Sequence, residues 1–443
     1  MKTVIVAALL MVCNAMGAPT TEVLFGNFKA AHARNYASPD EERKRFEIFA
    51  GNMKKAAVLN RKNPMATFGP NEFADMTSEE FQTRHNAARH YAAAKARPPK
   101  NTKTFTAEEI KAAVGQQIDW RLKGAVTPVK NQGACGSCWS FSTTGNIEGQ
   151  HAIATGQLVA VSEQELVSCD PIDDGCNGGL MDNAFGWLIS AHKGQIATEA
   201  NYPYVSGNGI VPACSSSPES KPVGATISAF QDIARTEEDM AAFVFKHGPL
   251  SIGVDASTWQ SYAGGIMSYC PQDQIDHGVL IVGFDDTAST PYWIIKNSWT
   301  ANWGEEGYIR VAKGSNQCGL TSHPSSSVVG NSPSPTPAPT TPGSGSLIQM
   351  YCFDDKCSNG CRKNTLPLHT CLPLNGGGSA IASCNPIQVI LSIYQTIDCT
   401  GPSQPNAMSL NQCLLGNTGY FENICTSNTN TAMPKGLLLP RGF

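Results

Sequence analysis

No apolar run in this chain is long enough to cross a bilayer. Val4 to Val12 is too short, and Pro386 to Ile397 alternates in the manner of a strand. No Asn-x-Ser/Thr sequon occurs, so N-glycosylation is not expected. Residues 18–113 contain no cysteine, which excludes a disulfide framework there. Strong charge is missing too. The net charge is −4 over 443 residues, which gives no basic footprint for nucleic acid and leaves enough apolar content for most of the chain to fold.

The first residues read as a secretory signal. Lys2 supplies the charge, Val4 to Val12 the apolar stretch, and Ala15-Met16-Gly17 the small-residue cleavage site. Cutting is expected after Gly17, with Ala18 as the alternative. In a chain entering that pathway, 16 cysteines imply disulfides rather than a zinc site. No metal and no cofactor are expected.

Charge is unevenly spread. Lys+Arg against Asp+Glu is 16 to 11 in residues 18–113 and 10 to 21 in residues 114–330. A basic segment (+5) therefore precedes an acidic one (−11), and the two should attract at neutral pH. Protonation of carboxylates would weaken that attraction, and salt would screen it.

Composition divides the chain into a signal (1–17), a Lys/Arg/Ala-rich segment (18–113), a mixed domain (114–330), a Pro/Thr/Ser spacer (331–346) and a cysteine-rich tail (347–443). In the second segment Ser38-Pro39-Asp40-Glu41 starts a helix that should run to about Asn60. Thr77-Ser78-Glu79-Glu80 starts a shorter one, and stretch 91–112 reads as loosely ordered. In the domain, helices are predicted from Cys138, near Ser162 to Val167, over Asp182 to Ala191 and after Thr236. Strands are predicted at Leu250–Val254, Gly278–Phe284, Tyr292–Lys296 and Tyr308–Val311. Helices first and strands later indicate an α+β fold. The tail's eight cysteines, Cys352, Cys357, Cys361, Cys371, Cys384, Cys399, Cys413 and Cys425, predict a small stapled domain whose pairing stays open.

The chemistry concentrates in Gln132 to Phe141, Q-G-A-C-G-S-C-W-S-F. A thiol at a helix start is activated by the positive helix end and by a neighbouring imidazolium. Cys138 begins a predicted helix, and His277 is the candidate imidazole. Asn297 offers an amide oxygen to orient that ring. Gln132 offers a side-chain donor to an oxyanion beside the Cys138 N–H; losing one such donor costs about 2.7–4 kcal/mol in the barrier. Blander readings exist: His151, His192, His247 and His323 also lie in the domain, Asn297 would suit a turn, and Trp299 a core. A C-x-x-C redox site at Cys135-Gly136-Ser137-Cys138 would need a strand–loop–helix within a βαβ context, which the region lacks.

Cys135-Gly136-Ser137-Cys138-Trp139, Asp276-His277-Gly278 and Asn297-Ser298-Trp299 resemble the papain/cathepsin L family. Glu41, Arg45, Phe49, Asn52 and Asn60 match the E-R-F-N-I-N pattern of its propeptides, with Ala56 where Ile is expected. Gly69, Asn71, Phe73 and Asp75 match its G-x-N-x-F-x-D motif. The spacer, the tail, Thr300 and Gly314-Ser315-Asn316-Gln317-Cys318 resemble the kinetoplastid, cruzipain-type subgroup.

The resemblance implies a two-lobed fold, one lobe helical and one β-barrel-like, with the site between them. An inhibitory helical propeptide would precede it and a disulfide-rich extension follow. It implies a cysteine endopeptidase with Cys138 as nucleophile, His277 as acid/base, Asn297 as orienter, Gln132 as oxyanion donor and Trp299 as a shield. Implied disulfides are Cys135–Cys176, Cys169–Cys214 and Cys270–Cys318, leaving Cys138 free. The mature chain would start near Val114.

Gly178 and Gly179 would offer the substrate backbone an edge. Leu180, Met181, Gly253, Ile275, Gly278 and His323 would surround the P2 side chain, and Asp276 and Trp299 would also contact substrate. Cruzipain carries glutamate where His323 stands, so Leu, Phe or Val is expected at P2 and Arg is expected to be poor. Implied partners are protein and peptide substrates, the chain's own propeptide, and cystatin-like inhibitors. A monomer in an acidic, lysosome-like compartment, or secreted, is expected. The rival reading is a catalytically dead binding protein, and the intact Gln, Cys, His and Asn set argues against it.

Overall fold

The computed structural model describes residues 19–95, 102–215 and 222–329, and beyond residue 344 the strands of the tail. The predicted signal and most of the spacer lie outside the described residues. The chain divides into two compact units, Met1–Ser332 and Pro333–Phe443.

The amino-terminal segment builds α1 (Thr21–Ala31), α2 (Pro39–Lys62), β1 (Ala66–Phe68), α3 (Ser78–Gln82), α4 (Ala88–Lys95) and α5 (Ala107–Ala113). Ser38 caps α2 by accepting from Glu41 N at 3.2 Å, with Pro39 in its first turn. Its inner face clamps the following loop. Asn52 donates to the carbonyls of Ala74 (2.9 Å) and Met76 (2.8 Å), and Asn60 exchanges two 2.8 Å bonds with the Phe68 backbone. Arg45 reaches Glu80 at 2.7 Å. Within 91–112 the described residues 91–95 and 102–112 depart from the expectation of loose order, and residues 96–101 lie outside the described residues. Tyr91 anchors α4 by burial, and Thr106 with Glu109 forms a capping box for α5.

The domain follows with β2 (Gln117–Asp119), α6 (Cys138–Thr155), α7 (Glu163–Cys169), α8 (Met181–His192), β3 (Gln195–Ala197), β4 (Val223–Thr226), β5 (Ala229–Asp232) and α9 (Glu237–His247). It ends with β6 (Leu250–Val254), β7 (Tyr262–Met267), β8 (His277–Asp285), β9 (Tyr292–Lys296), β10 (Tyr308–Ala312) and β11 (Ser322–Val328). The α+β expectation holds. Trp139, Leu166, Phe185 and Leu188 build a helical core, and Trp259, Phe284, Trp293 and Trp303 belong to a sheet-side core.

The expected barrel is an open sheet instead. Its strand order is β1-β7-β10-β9-β8-β6-β11-β5, with β2 on β8. The two ends of that path, β1 and β5, do not pair with each other, so no ring closes. One end, β1, comes from the amino-terminal segment and pairs antiparallel with β7.

Helix α6 serves both lobes. Asn146 donates to Pro249 O (2.9 Å) and accepts from Ser327 N (2.8 Å), while Ser142 donates to Val279 O (2.7 Å). These bonds satisfy polar groups on a helix buried over most of its length. Among the described residues no helix is long and apolar enough to cross a membrane.

Among the described residues, the tail contains two four-stranded antiparallel sheets spanning Gly345–Cys352 to Gly419–Ser427. Its first strand begins inside the expected spacer. Gln349 donates to Asn423 at 3.1 Å, a buried polar pair. The expectation of disulfides among its cysteines falls on side chains outside the described residues.

Candidate active site

Cys138 is the first residue of α6 and is fully buried. Ser140 N donates to Ser137 O at 2.8 Å and closes the first turn. Six other cysteines form Cys135–Cys176, Cys169–Cys214 and Cys270–Cys318, and Cys138 is free. His277 opens β8, opposite Val254 of β6. Asn297 directly follows β9, and its N–H donates to Gly307 O at 3.0 Å.

Three elements thus converge. Gly278 lets them approach, since a Cβ there would meet Trp139 Cα at 3.3 Å and Cys138 O at 3.4 Å.

His277 Nε2 shares a 2.8 Å hydrogen bond with Asn297 Oδ1, which also accepts from Ser298 N at 2.8 Å. The amide oxygen therefore receives an Nε2–H, leaving Nδ1 as the basic nitrogen. Nδ1 is buried and has no hydrogen-bond partner among the described residues. Trp299 stacks on the imidazole, with centroids 4.7 Å apart and planes at 26°. Trp299 also packs edge-on against Phe81, with ring centroids 4.9 Å apart.

The amino-terminal segment covers this site. Gln132 Nε2 donates to Arg84 O and to Cys135 O, both at 2.8 Å, and Gln132 Oε1 accepts from Ser298 Oγ at 2.6 Å. Ala87 N donates to Asp276 O at 3.0 Å, and Asn86 Nδ2 donates to Cys176 O at 3.0 Å. His85 Nδ1 lies 2.9 Å from Asp276 Oδ2, a buried pair. Arg89 pairs with Asp174.

Tyr91 fills the expected substrate pocket. It clusters with Leu180, Ile275 and Cys138. Its hydroxyl is 3.5 Å from Met181 Sδ, and its ring lies edge-on to His323 at 5.2 Å. Gly253 makes the room, because a Cβ there would meet Tyr91 Cε1 at 2.5 Å. Gly178 lies against Ala87 and His90, and Gly179 packs on Trp139 and Asp173.

The cover sets the electrostatics. Burial pushes the Cys138 thiol up to about 12 and the His277 imidazole down to about 3, so both are neutral beneath the segment. Burial, aided by Arg235, likewise pushes His323 down to about 4, although the Ala94 backbone opposes this. Beneath Tyr91 this histidine is therefore held toward its neutral form.

Sequence reasoning missed Ser298, which ties the Gln132 amide and sits within the Asn-Ser-Trp run. It also missed the Arg84 carbonyl and Tyr91, for which no motif gave a signal.

Comparison with known proteins follows the same division. Residues 114–328 match the model of the papain family of cysteine proteases, and residues 25–81 that of the cathepsin propeptide inhibitor domain. Residues 329–402 match a family described as a protein of unknown function. A cysteine proteinase of Trypanosoma brucei brucei is 46% identical over 412 residues, covering 93% of this chain and 90% of that protein. Cysteine proteinase 2 of Leishmania pifanoi is 44% identical over 394 residues, covering 87% of each.

Among solved structures, recombinant stem bromelain precursor superposes with a TM-score of 0.61 at 32% identity, covering 70% of this chain and 99% of that one. Procathepsin L 3 of Tenebrio molitor larval midgut gives 0.59 at 34%, covering 70% and 100%. The chain belongs to the papain family of cysteine proteases, as a propeptide-bearing zymogen with a C-terminal extension.

Proposed function

We propose that the protein is an endopeptidase zymogen in which Cys138 attacks the substrate carbonyl and His277 takes and returns the proton. Asn297 holds the ring, the Gln132 amide and Cys138 N–H receive the oxyanion, and Trp299 keeps water from the Asn–His bond. The attack forms an acyl-enzyme, which water then hydrolyses with His277 as base. The observation that carries this reading is the Asn297–His277 bond of 2.8 Å beside the free thiol of Cys138 at a helix start.

The arrangement of the segment over the cleft explains latency. The Arg84 carbonyl sits on Gln132, where a scissile carbonyl would sit, and Tyr91 fills the pocket assigned to P2. In a substrate, P2 precedes the scissile carbonyl in sequence; here Tyr91 follows Arg84. The segment therefore crosses the cleft in the reverse direction and presents no peptide bond for productive attack. Tyr91 also supports apolar or aromatic P2 residues. Arg at P2 would meet His323 and the nearby Arg235.

We assign the signal to 1–17, the propeptide to 18–113, the peptidase to 114–330, the spacer to 331–346 and the extension to 347–443. Val114, 63% exposed and in extended backbone after α5, is accessible for processing. Entry into the secretory pathway, an acidic lysosome-like compartment, a monomeric state and inhibition by cystatin-like proteins complete the proposal.

The test is hydrolysis of a fluorogenic Phe-Arg amide at acid pH under reducing conditions, comparing acid-processed wild type with Cys138→Ala. Activity in the first alone, blocked by an epoxysuccinyl thiol inhibitor, is expected. A folded, processed wild type without activity would overturn the reading. Comparable cleavage of Arg and Phe at P2 would overturn the pocket assignment.

A further inference from the structure

The two groups assigned to the oxyanion, the Gln132 amide and the Cys138 N–H, lie on separate turns of the chain, and something must fix the spacing between them. On the peptidase reading, we infer that the Tyr204 hydroxyl does so, which makes Tyr204 a positioning residue for the reaction.

That hydroxyl makes two bonds of 2.8 Å, one with Gln132 O and one with Ser137 Oγ. A carbonyl only accepts, so the single Tyr204 proton goes to Gln132 O, and Ser137 donates its own to the Tyr204 oxygen. One partner is the donor residue Gln132 itself. The other directly precedes Cys138. One hydroxyl thus links both halves of the oxyanion site.

Ser137 gives up a local bond for this link. It stands at the cap position of α6, where a serine ordinarily accepts from the N–H of the second or third helical residue. Ser137 makes no such side-chain bond, and its hydroxyl serves Tyr204 instead.

Tyr204 is itself firmly held. Its ring packs edge-on against Phe141 of α6 at 4.9 Å, and its N–H donates to Glu199 Oε1 at 2.9 Å. The next two N–H groups, of Val205 and Ser206, share Gln164 Oε1 at 2.7 and 3.0 Å. Gly207 O accepts from Ala134 N at 2.7 Å, and Gly133 lets the two loops meet, since a Cβ there would lie 2.2 Å from Gly207 O. Ser298 fixes the Gln132 N–H and side chain, and Tyr204 fixes its carbonyl. Burial raises the Tyr204 hydroxyl well above its ordinary range, so it keeps its proton in acid and at neutral pH.

Loss of an oxyanion donor costs about 10²–10³ in kcat, and displacement of one costs less. The test uses processed enzyme and a fluorogenic Phe-Arg amide. Tyr204→Phe keeps the ring and should lower kcat about tenfold, with KM within about twofold of wild type. Dipyridyl disulfide supplies the control: the Cys138 sulfur attacks one of its sulfurs, the S–S bond breaks and pyridinethione leaves, with no oxyanion formed. The rate of that reaction against pH should match wild type. In a Gln132→Ala background the same substitution should lower kcat about twofold or less, because one donor is already gone. An unchanged kcat, a disulfide rate that falls in parallel with kcat, or an undiminished loss in the Gln132→Ala background overturns the inference. Should Tyr204→Phe fail to fold, Ser137→Ala decides. A kcat about threefold lower with an unchanged disulfide rate supports the link, and an unchanged kcat overturns it. Hydrolysis by wild type keeps the two failures distinct: if wild type cuts no amide, it is the peptidase reading that falls.

Discussion

The propeptide grips the domain at two places, and the two grips differ in chemistry. At the sheet edge most of the bonds are between neutral groups, apart from Glu72 with Thr300 and Lys62 with Tyr269. Asn63 Oδ1 accepts from Ser268 N (2.9 Å) and Tyr269 N (2.7 Å), Asn71 donates to Gln260 O (2.7 Å), and Gln260 donates back to Phe73 O (2.9 Å). Strand pairing of β1 with β7 adds to this. Across the cleft and α9, titratable groups are involved. His85 faces Asp276, Arg89 faces Asp174, Glu109 pairs with Lys246, and Lys103 Nζ lies 3.2 Å from His247 Nε2. Acid has little to act on at the first grip and several targets at the second. Opening should therefore begin over the cleft while the sheet edge still holds.

The titratable contacts do not all respond in one direction. Burial holds His247 down to about 4, with Lys103 and Lys246 adding to the effect, whereas the free ring titrates near 6.5. The released state then binds more protons, so this contact is intact above about pH 6.5 and is lost as pH falls toward 4. Protonation also removes the acceptor for Lys103 and sets two cations together. Asp276 moves the other way. Its carboxyl is raised by burial, although His85 opposes this, so proton uptake favours the docked state. Acid sensitivity thus concentrates at Lys103–His247. This narrows the broad attraction read from the charge counts, since three of the ion pairs described cross between the segment and the domain.

The comparison can be broken by removing one grip at a time. The largest effect should come from Tyr91→Ala, which empties a buried aromatic site. A loss of about 3 kcal/mol corresponds to propeptide inhibition in trans weakened about a hundredfold. Inhibition constants at pH 5 and pH 7 should change equally, because an apolar contact does not titrate.

Asn63→Ala should cost about 1–3 kcal/mol by leaving two backbone donors unpaired. Its signature is faster zymogen activation at both pH values with an unchanged ratio between them. A changed ratio would show that the sheet edge also senses acid.

His247→Gln keeps an acceptor for Lys103 but cannot take up a proton. The activation rate at pH 5 relative to pH 7 should fall about threefold, as for a half-exposed pair. An unchanged ratio would remove His247 as the acid-sensitive contact. Smallest is Lys246→Ala, which breaks a mostly exposed pair with Glu109 and should change the thermal midpoint of the zymogen by about 2 °C or less.

The parts legible in sequence were those governed by local rules. Ser38, Thr77 and Thr236 each cap a helix through a side-chain oxygen, and the alternation in Leu250–Val254 and the apolar run in Tyr292–Lys296 mark strands. What escaped depends on partners distant in the chain. Helix α4 exists where Tyr91 finds a pocket formed by Leu180, Ile275 and Gly253, and its own Ala- and Lys-rich composition carries no apolar stripe. The capping box at Thr106 and Glu109 was legible but short. Strands β1 and β7 are hard to read because Gly264 and Gly265 interrupt the second and the first is only three residues long. The motif residues of the cleft could be named from the sequence, but the Arg84 carbonyl beside Gln132 could not, because a backbone atom leaves no side-chain signature.

Maturation uncovers the β7 edge, and this bears on how the enzyme behaves at high concentration. An edge that loses its neighbouring strand exposes unpaired N–H and C=O groups and invites association with other chains. Here the exposed stretch is short, its register shifts between Thr67 and Phe68, and Gly265 adopts φ +85°. Such backbone twists away from the flat ladder that a second copy would need. The same irregularity that made the strand hard to recognise should keep the processed enzyme dispersed after its chaperoning segment has been digested.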